Sequence, residues 1–443
     1  MSHRIVVAPV VTMDPALPRA SALAWAGDRL VAVGEVDAVR AACPPDTPIE
    51  ELDAVVVPGL IDAHLHMQRA GLKALSVPAP GGTWDAASYV AEMDRTADLD
   101  EWPPGSEPSL ADRLEGLRQV QPLLHALGIT SVVDPAVTVD EMRGYQAARA
   151  AGLLSMRVVA MPYLDPALPE ILTRLDGIGA STGFGDDFLR LGGIKVYFDG
   201  EGMKRQALLA SPWTPGTTDY GVQRIPSGDF ASIARFCASH GWSLGVHAVG
   251  GGAVAEILRI FADIDASFPL RDLRWQLIHA YLEPSPSSLA EAARLGVVAS
   301  LQPSIHWHNA AGLIEHLGER AVPANPVRSW LDAGATVALG SDGPFFPFDP
   351  RHLMWQTRTR MVRGLGDPVA PSLAVTGAEA LAGYTTGAAY AAFAEATRGM
   401  LRPGMLADWV ALSVDPVTCS ASEILTAAVV RTVVGGLTVW SPS

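Results

Sequence analysis

Apolar residues follow two different patterns along this chain. From about residue 4 to residue 57, short β-branched apolar runs alternate with turn residues, as in RIVVAPVVTM and SALAWAGDRLVAVG, where GDR is typical of a hairpin turn. The same pattern returns near the end of the chain, in MLADWVALSV and AAVVRTVVGGLTVW. We therefore expect a small β-sandwich domain built from both termini, over residues 1–57 and 404–443.

Between residues 57 and 400 the pattern changes to strand-then-helix units. Many of the helical stretches end on glycine, as in LHALG and ARLG, and glycine commonly terminates a helix. The predicted strands are VVVPGLIDAHLH, 129–134, 154–161, 192–200, 242–250, 274–282, 297–306 and 335–344. Eight such units predict an α/β fold, a (β/α)8 TIM-like barrel over residues 58–403. No GxGxxG motif follows the first strand, which disfavours an open nucleotide-binding sheet.

The segment 76–109 separates the first two predicted strands and is rich in Pro, Gly, Asp and Trp. At the carboxyl end of a barrel strand, an insertion of this length is typical of a lid or a substrate loop. A disordered surface loop explains the composition equally well. The sequence leaves both interpretations open.

Composition limits the classes of partner. The 443 residues carry a formal net charge of −15, which argues against nucleic acid and anionic membranes. Cys43, Cys237 and Cys419 are scattered, as expected in a reducing compartment. We see no signal peptide and no apolar stretch of membrane-spanning length. We therefore expect a cytoplasmic protein that acts on a small molecule, and a homo-oligomer with a dimer as the first choice.

Polar residues stand where the predicted barrel strands end, which is where barrel enzymes place their active sites. The first strand ends in His64-Leu65-His66, and alternate residues of an extended segment point to the same side. The later strands supply Asp134, Lys195, Asp199, His247, His279, His306, His308 and Asp342. A histidine pair alone is more often structural than metal-binding. Histidines and a carboxylate at several strand ends together favour a metal site.

Lys195 lies inside the apolar strand GGIKVYF and is one of three lysines in the chain. An ammonium group in such a strand carries a large desolvation cost unless it is paired or neutral. Burial and nearby cations lower the pKa of a lysine, and a neutral amine can take up carbon dioxide as a carbamate. The resulting carboxylate could bridge two metal ions.

Six motifs together resemble the amidohydrolase superfamily, and in particular amidohydrolase family 3, the YtcJ-like branch. They are PGLIDAHLH, GGIKVYFDG, VHAVGGGA, LIHAYL, LGSDGP and LRPGMLADWVAL, and they cover essentially the whole chain. The chain departs from the family pattern at DGEGMKRQA, where relatives usually continue with a DGS-type turn, and it is shorter than is typical of this branch. Both departures fall where specificity is set, so the substrate stays open.

The resemblance implies a binuclear metal site whose ligands are His64, His66, Lys195, His247, His279 and Asp342. The first two histidines and the aspartate would hold the more buried ion. The other two histidines would hold the more exposed ion, and the lysine, as a carbamate, would bridge the two. Zinc suits these ligands, and manganese, iron or nickel are alternatives.

The implied activity is hydrolysis of a C–N bond in an amide, N-formyl, urea-like or cyclic amide substrate by a metal-activated hydroxide. Asp342 would be the catalytic base and acid. Alternatives are a mononuclear deaminase of an amino-substituted heterocycle, which lacks the bridging lysine, and a lyase or decarboxylase on the same scaffold. The expected substrate contacts are Tyr197, Arg205, His306, Trp307 and Phe345. Their aromatic members favour a substrate with an apolar or aromatic group.

Overall fold

Three β-sheets with intervening helices make up the part of the chain that the computed structural model describes, residues 2–95, 107–164 and 179–442. The strands are β1 His3–Val11, β2 Arg19–Ala26, β3 Arg29–Gly34, β4 Ile49–Glu51, β5 Val55–Pro58, β6 Leu60–Asp62, β7 Ile129–Val137, β8 Arg157–Pro162, β9 Leu189–Leu191, β10 Ile194–Tyr197, β11 Leu244–Gly250, β12 Gln276–Leu282, β13 Val298–Leu301, β14 Val337–Leu339, β15 Trp409–Leu412, β16 Val429–Val434 and β17 Leu437–Trp440.

The helices within the same ranges are α1 Val36–Ala41, α2 Met67–Ser76, α3 Ala86–Arg95, α4 Leu110–Ala126, α5 Val139–Ala150, α6 Ser227–Ser239, α7 Gly251–Asp265, α8 Pro286–Leu295, α9 Pro303–Leu317, α10 Val327–Asp332, α11 Pro350–Thr359, α12 Gly377–Gly383, α13 Thr386–Ala391 and α14 Ala421–Thr426. None of these helices is long and apolar enough to cross a membrane.

One eight-stranded sheet joins the two ends of the chain. Its order is β17-β16-β15-β5-β1-β2-β3, with β4 paired to β1. Strand β15 runs antiparallel to β5, so the chain returns to its N-terminal strands after residue 408. The rings of Trp25 and Trp409 pack edge to face in its core, with 5.9 Å between their centres. The β-rich ends therefore form a common sheet, whereas its closure into a sandwich stays a prediction.

Two parallel sheets lie between these ends in sequence, with the orders β6-β7-β8-β9 and β10-β11-β12-β13-β14. Each of the eight predicted strands overlaps one strand of these two sheets. Backbone hydrogen bonds also connect the two sheets, since Leu164 N, just after β8, donates to Lys195 O at 2.9 Å and Ala63 N, just after β6, donates to Leu339 O at 3.1 Å. Parallel strands linked through helices, in this order, make the fold TIM-barrel-like α/β.

The glycines predicted to end helices all have the left-handed backbone that glycine permits. They are Gly128, Gly152, Gly241, Gly296 and Gly334, with φ values of 83°, 66°, 72°, 74° and 80°. The chain leaves a helix at each of them and enters the next strand within a few residues. This signal in the sequence correctly located the helix-to-strand connections.

Two of the predicted strands divide into separate elements in the structure. The run VVVPGLIDAHLH divides at Gly59, because β5 belongs to the terminal sheet and β6 to a parallel sheet. A Cβ atom at Gly59 would lie 2.3 Å from Thr130 Oγ1, so the crossing requires glycine. The run 297–306 divides at Pro303, which begins helix α9. His306 and His308 therefore lie on a helix, together with Trp307, which corrects the predicted position of the two histidines at a strand end.

Part of the predicted insertion 76–109 packs on the parallel sheets' helices, and residues 96–106 lie outside the described ranges. Tyr89 on α3 is fully buried, donates its hydroxyl hydrogen to the Ala70 carbonyl, and packs on Phe348 at 5.7 Å between ring centres. Trp84 Nε1 donates to Ala74 O at 3.2 Å. The described part of this segment is thus fixed against α2 and is not a disordered loop.

Candidate metal site

Three predicted metal ligands converge on one point. Nε2 of His64 lies 3.2 Å from Oδ1 of Asp342, and Nε2 of His66 lies 3.4 Å from the same oxygen. One ligand atom from each residue lies within 4.8 Å of the others. Two donors bound about 2 Å from one tetrahedral zinc ion are about 3.3 Å apart. The spacing of these atoms therefore fits a single metal ion.

Backbone hydrogen bonds hold the two segments of this cluster together. Oδ1 of Asp62 accepts from the amides of His64 and Ser341, each at 3.0 Å. The amide of Asp342 donates to the carbonyl of His64 at 2.7 Å. A Cβ atom at Gly340 would lie 2.5 Å from His64 N, so this close approach requires glycine. The carboxylate of Asp62 therefore accepts hydrogen bonds from the backbone of the cluster and is not one of the three converging groups.

Parallel strand pairing brings two further histidines to the same place. Strand β10 pairs with β11 so that Tyr197 lies opposite His247, and β11 pairs with β12 so that Ala248 lies opposite His279. The ring centre of His279 is 4.6 Å from that of His247 and 5.1 Å from that of His64. All four histidines of the implied ligand set thus form one continuous group of rings.

Two of the candidate ligands have an unusual backbone. His279 has a φ of 80° and Asp342 has a φ of 58°. L-residues rarely adopt this region, and such strain tends to accumulate at functional sites. The surrounding hydrogen bonds and strand pairing hold both side chains towards the cluster despite this cost.

Lys195 is buried beside these histidines without a hydrogen-bond partner for Nζ among the described residues. Its side chain is 1% exposed, and Nζ lies 5.0 Å from the ring centre of Tyr197. Burial lowers the pKa of Lys195 to about 7, although Asp342 opposes the change. The lysine is therefore more easily deprotonated than an exposed one, and the neutral amine is the form that can become a carbamate.

The protonation states of His247, His279 and Asp342 also suit metal binding, whereas contacts with Asp134 and Asp342 raise the pKa of His66. Burial lowers the pKa of His279 to about 4 and holds that of His247 well below its usual value. Burial alone would raise the pKa of Asp342, but hydrogen bonds from His64 and His66 keep it well below the usual range. Neutral imidazoles and an ionised carboxylate are the forms that bind divalent ions. Neither ring nitrogen of His247 has a hydrogen-bond partner among the described residues.

Asp134 and Asp199 support these ligands in a way that the sequence did not reveal. A carboxylate oxygen of Asp134 lies 3.7 Å from Nδ1 of His66, and Asp134 accepts hydrogen bonds from the Met67 amide and the Tyr145 hydroxyl. Their predicted positions at strand ends were the only signal for them; in the structure Asp199 follows β10, whereas Asp134 lies within β7. Asp199 accepts from the amides of Leu208, Val249 and Gly250 at 2.9 to 3.0 Å. It thereby fixes the end of strand β11, which carries His247.

The structure brings two of the five predicted substrate contacts to the cluster. The ring centre of Tyr197 is 4.9 Å from that of His247, and the ring centre of Phe345 is 5.3 Å from that of His66. Both side chains are half-buried. They therefore border the group of histidines on two sides.

Of the other three predicted contacts, Trp307 and Arg205 contact residues outside the cluster. Trp307 packs against His352 and Trp355, with 4.9 Å and 5.5 Å between ring centres. Arg205 is exposed and donates to Thr214 at 2.8 Å and to Asp219 at 3.4 Å. His306 is buried, and the described residues provide no hydrogen-bond partner for its ring nitrogens. Their role as substrate contacts stays a prediction.

The curated proteins that are similar to this chain include two bacterial ones. The N-substituted formamide deformylase of Arthrobacter pascens is 24% identical over an alignment of 536 residues, gaps included. The alignment covers 98% of this chain and 97% of that protein. The putative amidohydrolase YtcJ of Bacillus subtilis (strain 168) is 26% identical over 307 residues, which cover 68% of this chain and 55% of that protein. The similarity to YtcJ agrees with the branch predicted from the motifs.

A solved structure supports the fold. An uncharacterised metal-dependent hydrolase from Pyrococcus horikoshii OT3 matches with a TM-score of 0.77 at 21% identity, over 95% of this chain and 99% of that one. The sequence profile of the amidohydrolase family matches residues 105–440, more than half of the chain. This match confirms the predicted enzyme class, a metal-dependent hydrolase for C–N bonds other than peptide bonds. The chain belongs to the amidohydrolase family.

Proposed function

We propose that this protein hydrolyses a C–N bond in an amide, N-formyl, urea-like or cyclic amide substrate and uses two divalent metal ions to do so. One observation carries the proposal. The side chains of His64 and His66 converge on one oxygen of Asp342, while the buried Lys195, without a hydrogen-bond partner among the described residues, lies beside them. Such a set of groups is costly in a folded protein unless it binds something.

The donor set fits the two ions as follows. His64, His66 and Asp342 would hold one ion, and His247 with His279 would hold the other. Lys195 as a carbamate would supply an oxygen to each. Nitrogen and carboxylate ligands suit zinc, with manganese, iron or nickel as alternatives. Bound divalent ions lower the pKa of water and polarise a carbonyl group.

The side chains of the protein would do the remaining chemistry. Asp342 stays ionised because of its contacts with His64 and His66, so it can accept a proton from water. It can then return that proton to the leaving nitrogen. The rings of Tyr197 and Phe345 border the cluster and would limit the access of bulk water. They also favour a substrate with an apolar or aromatic group next to the bond that is cleaved.

The fold is proposed to bring these groups together as one closed (β/α)8 barrel over residues 58–403. The hydrogen bonds between the two parallel sheets support this closure. Residues 1–57 and 404–443 would form the separate β-sandwich domain, and segment 76–109 would cover the site. A cytoplasmic location, a homodimer and the absence of nucleic-acid or membrane partners stay predictions.

The relative from Arthrobacter pascens suggests the first substrates to examine. Its name describes an N-substituted formamide deformylase, and the similarity spans 97% of its length. We therefore propose N-formyl and N-acyl aromatic amines as the first compounds for a screen. The sequence departure at DGEGMKRQA begins at Asp199, close to Tyr197 in the chain, so the acceptance of individual compounds should differ from that of the relative.

Metal analysis of the Lys195→Ala variant tests the proposal. We expect the wild-type protein to bind two zinc ions per chain and the variant to bind one, with activity lowered about 10³-fold because the bridging group is lost. Lys204→Ala is the matched control, since Lys204 is exposed and paired with Glu201 at 3.0 Å. Two bound ions and full activity in Lys195→Ala would contradict the bridging role.

A mononuclear deaminase is a second candidate, and one observation favours it. Among the described residues, His64, His66 and Asp342 meet the spacing of a metal site by themselves. In that case the wild-type protein and Lys195→Ala would both bind one ion and release ammonia from an amino-substituted heterocycle at similar rates.

A further inference from the structure

Gln302 connects strand β13 to helix α9 and lies next to a candidate metal ligand. Its side chain is 1% exposed, and its Oε1 atom is 2.7 Å from Nδ1 of His279. This is a short, direct hydrogen bond inside the protein. His279 differs in this respect from His247, another of the four candidate histidines, whose ring nitrogens have no hydrogen-bond partner among the described residues.

The orientation of the Gln302 amide follows from its other contacts. Nε2 donates to the carbonyl of Ser300 at 3.2 Å and approaches Oγ of Ser300 at 3.4 Å. If the amide were flipped, its oxygen would face the Ser300 carbonyl oxygen, and two acceptors would repel each other. The carbonyl of Gln302 accepts from Nδ2 of Asn325 at 3.2 Å, which holds the residue in place. The oxygen of the amide therefore faces His279.

This orientation determines which nitrogen of His279 carries the hydrogen. The Oε1 atom of an amide can only accept a hydrogen bond, so Nδ1 of His279 must be the donor. A neutral imidazole has one N–H group, and Nε2 is then left with its lone pair. That lone pair is the group that a metal ion binds, and a partner on the other nitrogen commonly fixes a metal-binding histidine.

We propose that Gln302 is a positioning residue that keeps His279 as the Nδ1–H tautomer and presents its Nε2 atom to a metal ion. The proposal rests on the proposed metal-dependent function. The backbone of His279 is in an unfavourable conformation, with a φ of 80°. The hydrogen bond from its ring to Gln302 helps to hold the side chain in this conformation. Loss of the acceptor should therefore lower the affinity for one metal ion and not for the other.

Two variants of Gln302 separate the acceptor from the shape of the side chain. Gln302→Leu keeps a similar size but removes the acceptor. Gln302→Glu keeps an acceptor for Nδ1–H, and as the protonated acid that burial favours it offers an O–H donor to the Ser300 carbonyl in place of Nε2. With zinc as the probe and a chromogenic chelator as competitor, we expect Gln302→Leu to lose about 10- to 100-fold in affinity for one of two zinc ions. Gln302→Glu should stay within a few-fold of the wild type. Ser300→Ala is the matched control, since it removes only the 3.4 Å contact to Nε2.

A second readout does not depend on metal binding. Long-range ¹H–¹⁵N spectra of the full chain labelled with ¹⁵N-histidine, before zinc is added, distinguish the two tautomers. His279 is identified by the signal that His279→Asn lacks. We expect the Nδ1–H form in the wild type and in Gln302→Glu, and a change towards the Nε2–H form in Gln302→Leu.

These outcomes separate failure of the inference from failure of the proposed function. The inference is overturned if Gln302→Leu keeps both the tautomer and the two zinc affinities of the wild type. It is also overturned if Gln302→Glu loses zinc affinity as strongly as Gln302→Leu, which would show that an acceptor at this position does not sustain the affinity. A wild-type protein that binds fewer than two zinc ions but has the expected tautomer would refute the binuclear proposal while the role of Gln302 stands.

Discussion

His125 and His247 are both buried histidines, but the structure satisfies their ring nitrogens differently. In helix α4, Nδ1 of His125 is 2.9 Å from the Ile129 carbonyl oxygen and Nε2 is 3.0 Å from Oγ of Ser155. Neither ring nitrogen of His247 has a hydrogen-bond partner among the described residues. Burial lowers the pKa of both residues, so burial does not distinguish them. The partners of the ring nitrogens do, because an unsatisfied lone pair remains available to a metal ion.

Matched substitutions at a cluster histidine and at His125 should give opposite results. His64→Gln should reduce bound zinc and lower activity about 10³-fold or more, because it removes a ligand from the proposed site. His125→Gln should keep the zinc content and lose about 1–3 kcal/mol of stability, because buried hydrogen bonds are broken. Metal analysis and urea unfolding of both proteins would measure these effects.

The comparison fails if the two variants behave alike. Equal zinc loss in His64→Gln and His125→Gln would mean that metal content follows general stability. Full zinc content in His64→Gln would remove this residue from the ligand set. The free energy of unfolding of the metal-free proteins is the control, since it separates a loss of fold from a loss of ligand.

A pH titration of stability sharpens the description of His125 as a structural residue. Burial lowers its pKa to about 4 in the folded protein, whereas the unfolded chain titrates near 6.5. Between these values the unfolded state binds more protons, so stability falls as the pH falls. The loss should approach about 3 kcal/mol near pH 4. Urea unfolding of the wild type and His125→Gln at several pH values would measure it, and an identical pH dependence in both proteins would exclude His125 as the cause.

Much of the fold could be predicted because its signals are local. Apolar runs and helix-ending glycines such as Gly128 and Gly296 located the strand-and-helix units. The strand limits around Gly59 and Pro303 were wrong for different reasons. At Gly59 one apolar run serves two sheets, which only the tertiary pairing reveals. At Pro303 a local signal existed, since proline is frequent in the first turn of a helix, and it was missed.

The candidate site was predictable as far as its ligands stand at strand ends. His64, His279 and Asp342 lie where the pattern placed them, and their convergence needed only the rule that parallel strands end on the same side. The supporting residues could not be assigned in this way. Gln302 contacts His279 from the end of β13, and Asp134 approaches His66 from within β7, so both roles depend on the registers of the folded sheets.

The supporting role of Asp134 gives the smallest expected effect. Asp134→Asn keeps the size of the side chain but removes the negative charge 3.7 Å from Nδ1 of His66. A carboxylate in this position makes a metal-binding imidazole a better ligand, so zinc affinity should fall about 10-fold, at the lower end of the range for such supporting residues. Chelator competition with zinc would measure the change.

Tyr145→Phe is the matched variant, because it removes the hydroxyl that donates to Asp134 and leaves the carboxylate itself. We expect it to cost about 1 kcal/mol of stability and to change zinc affinity by no more than a few-fold. If Tyr145→Phe lowered zinc affinity as much as Asp134→Asn, packing around Asp134 rather than its charge would support His66. A larger effect of Asp134→Asn, with similar stabilities, would show that the charge acts on the metal ligand, as expected for a carboxylate 3.7 Å from Nδ1.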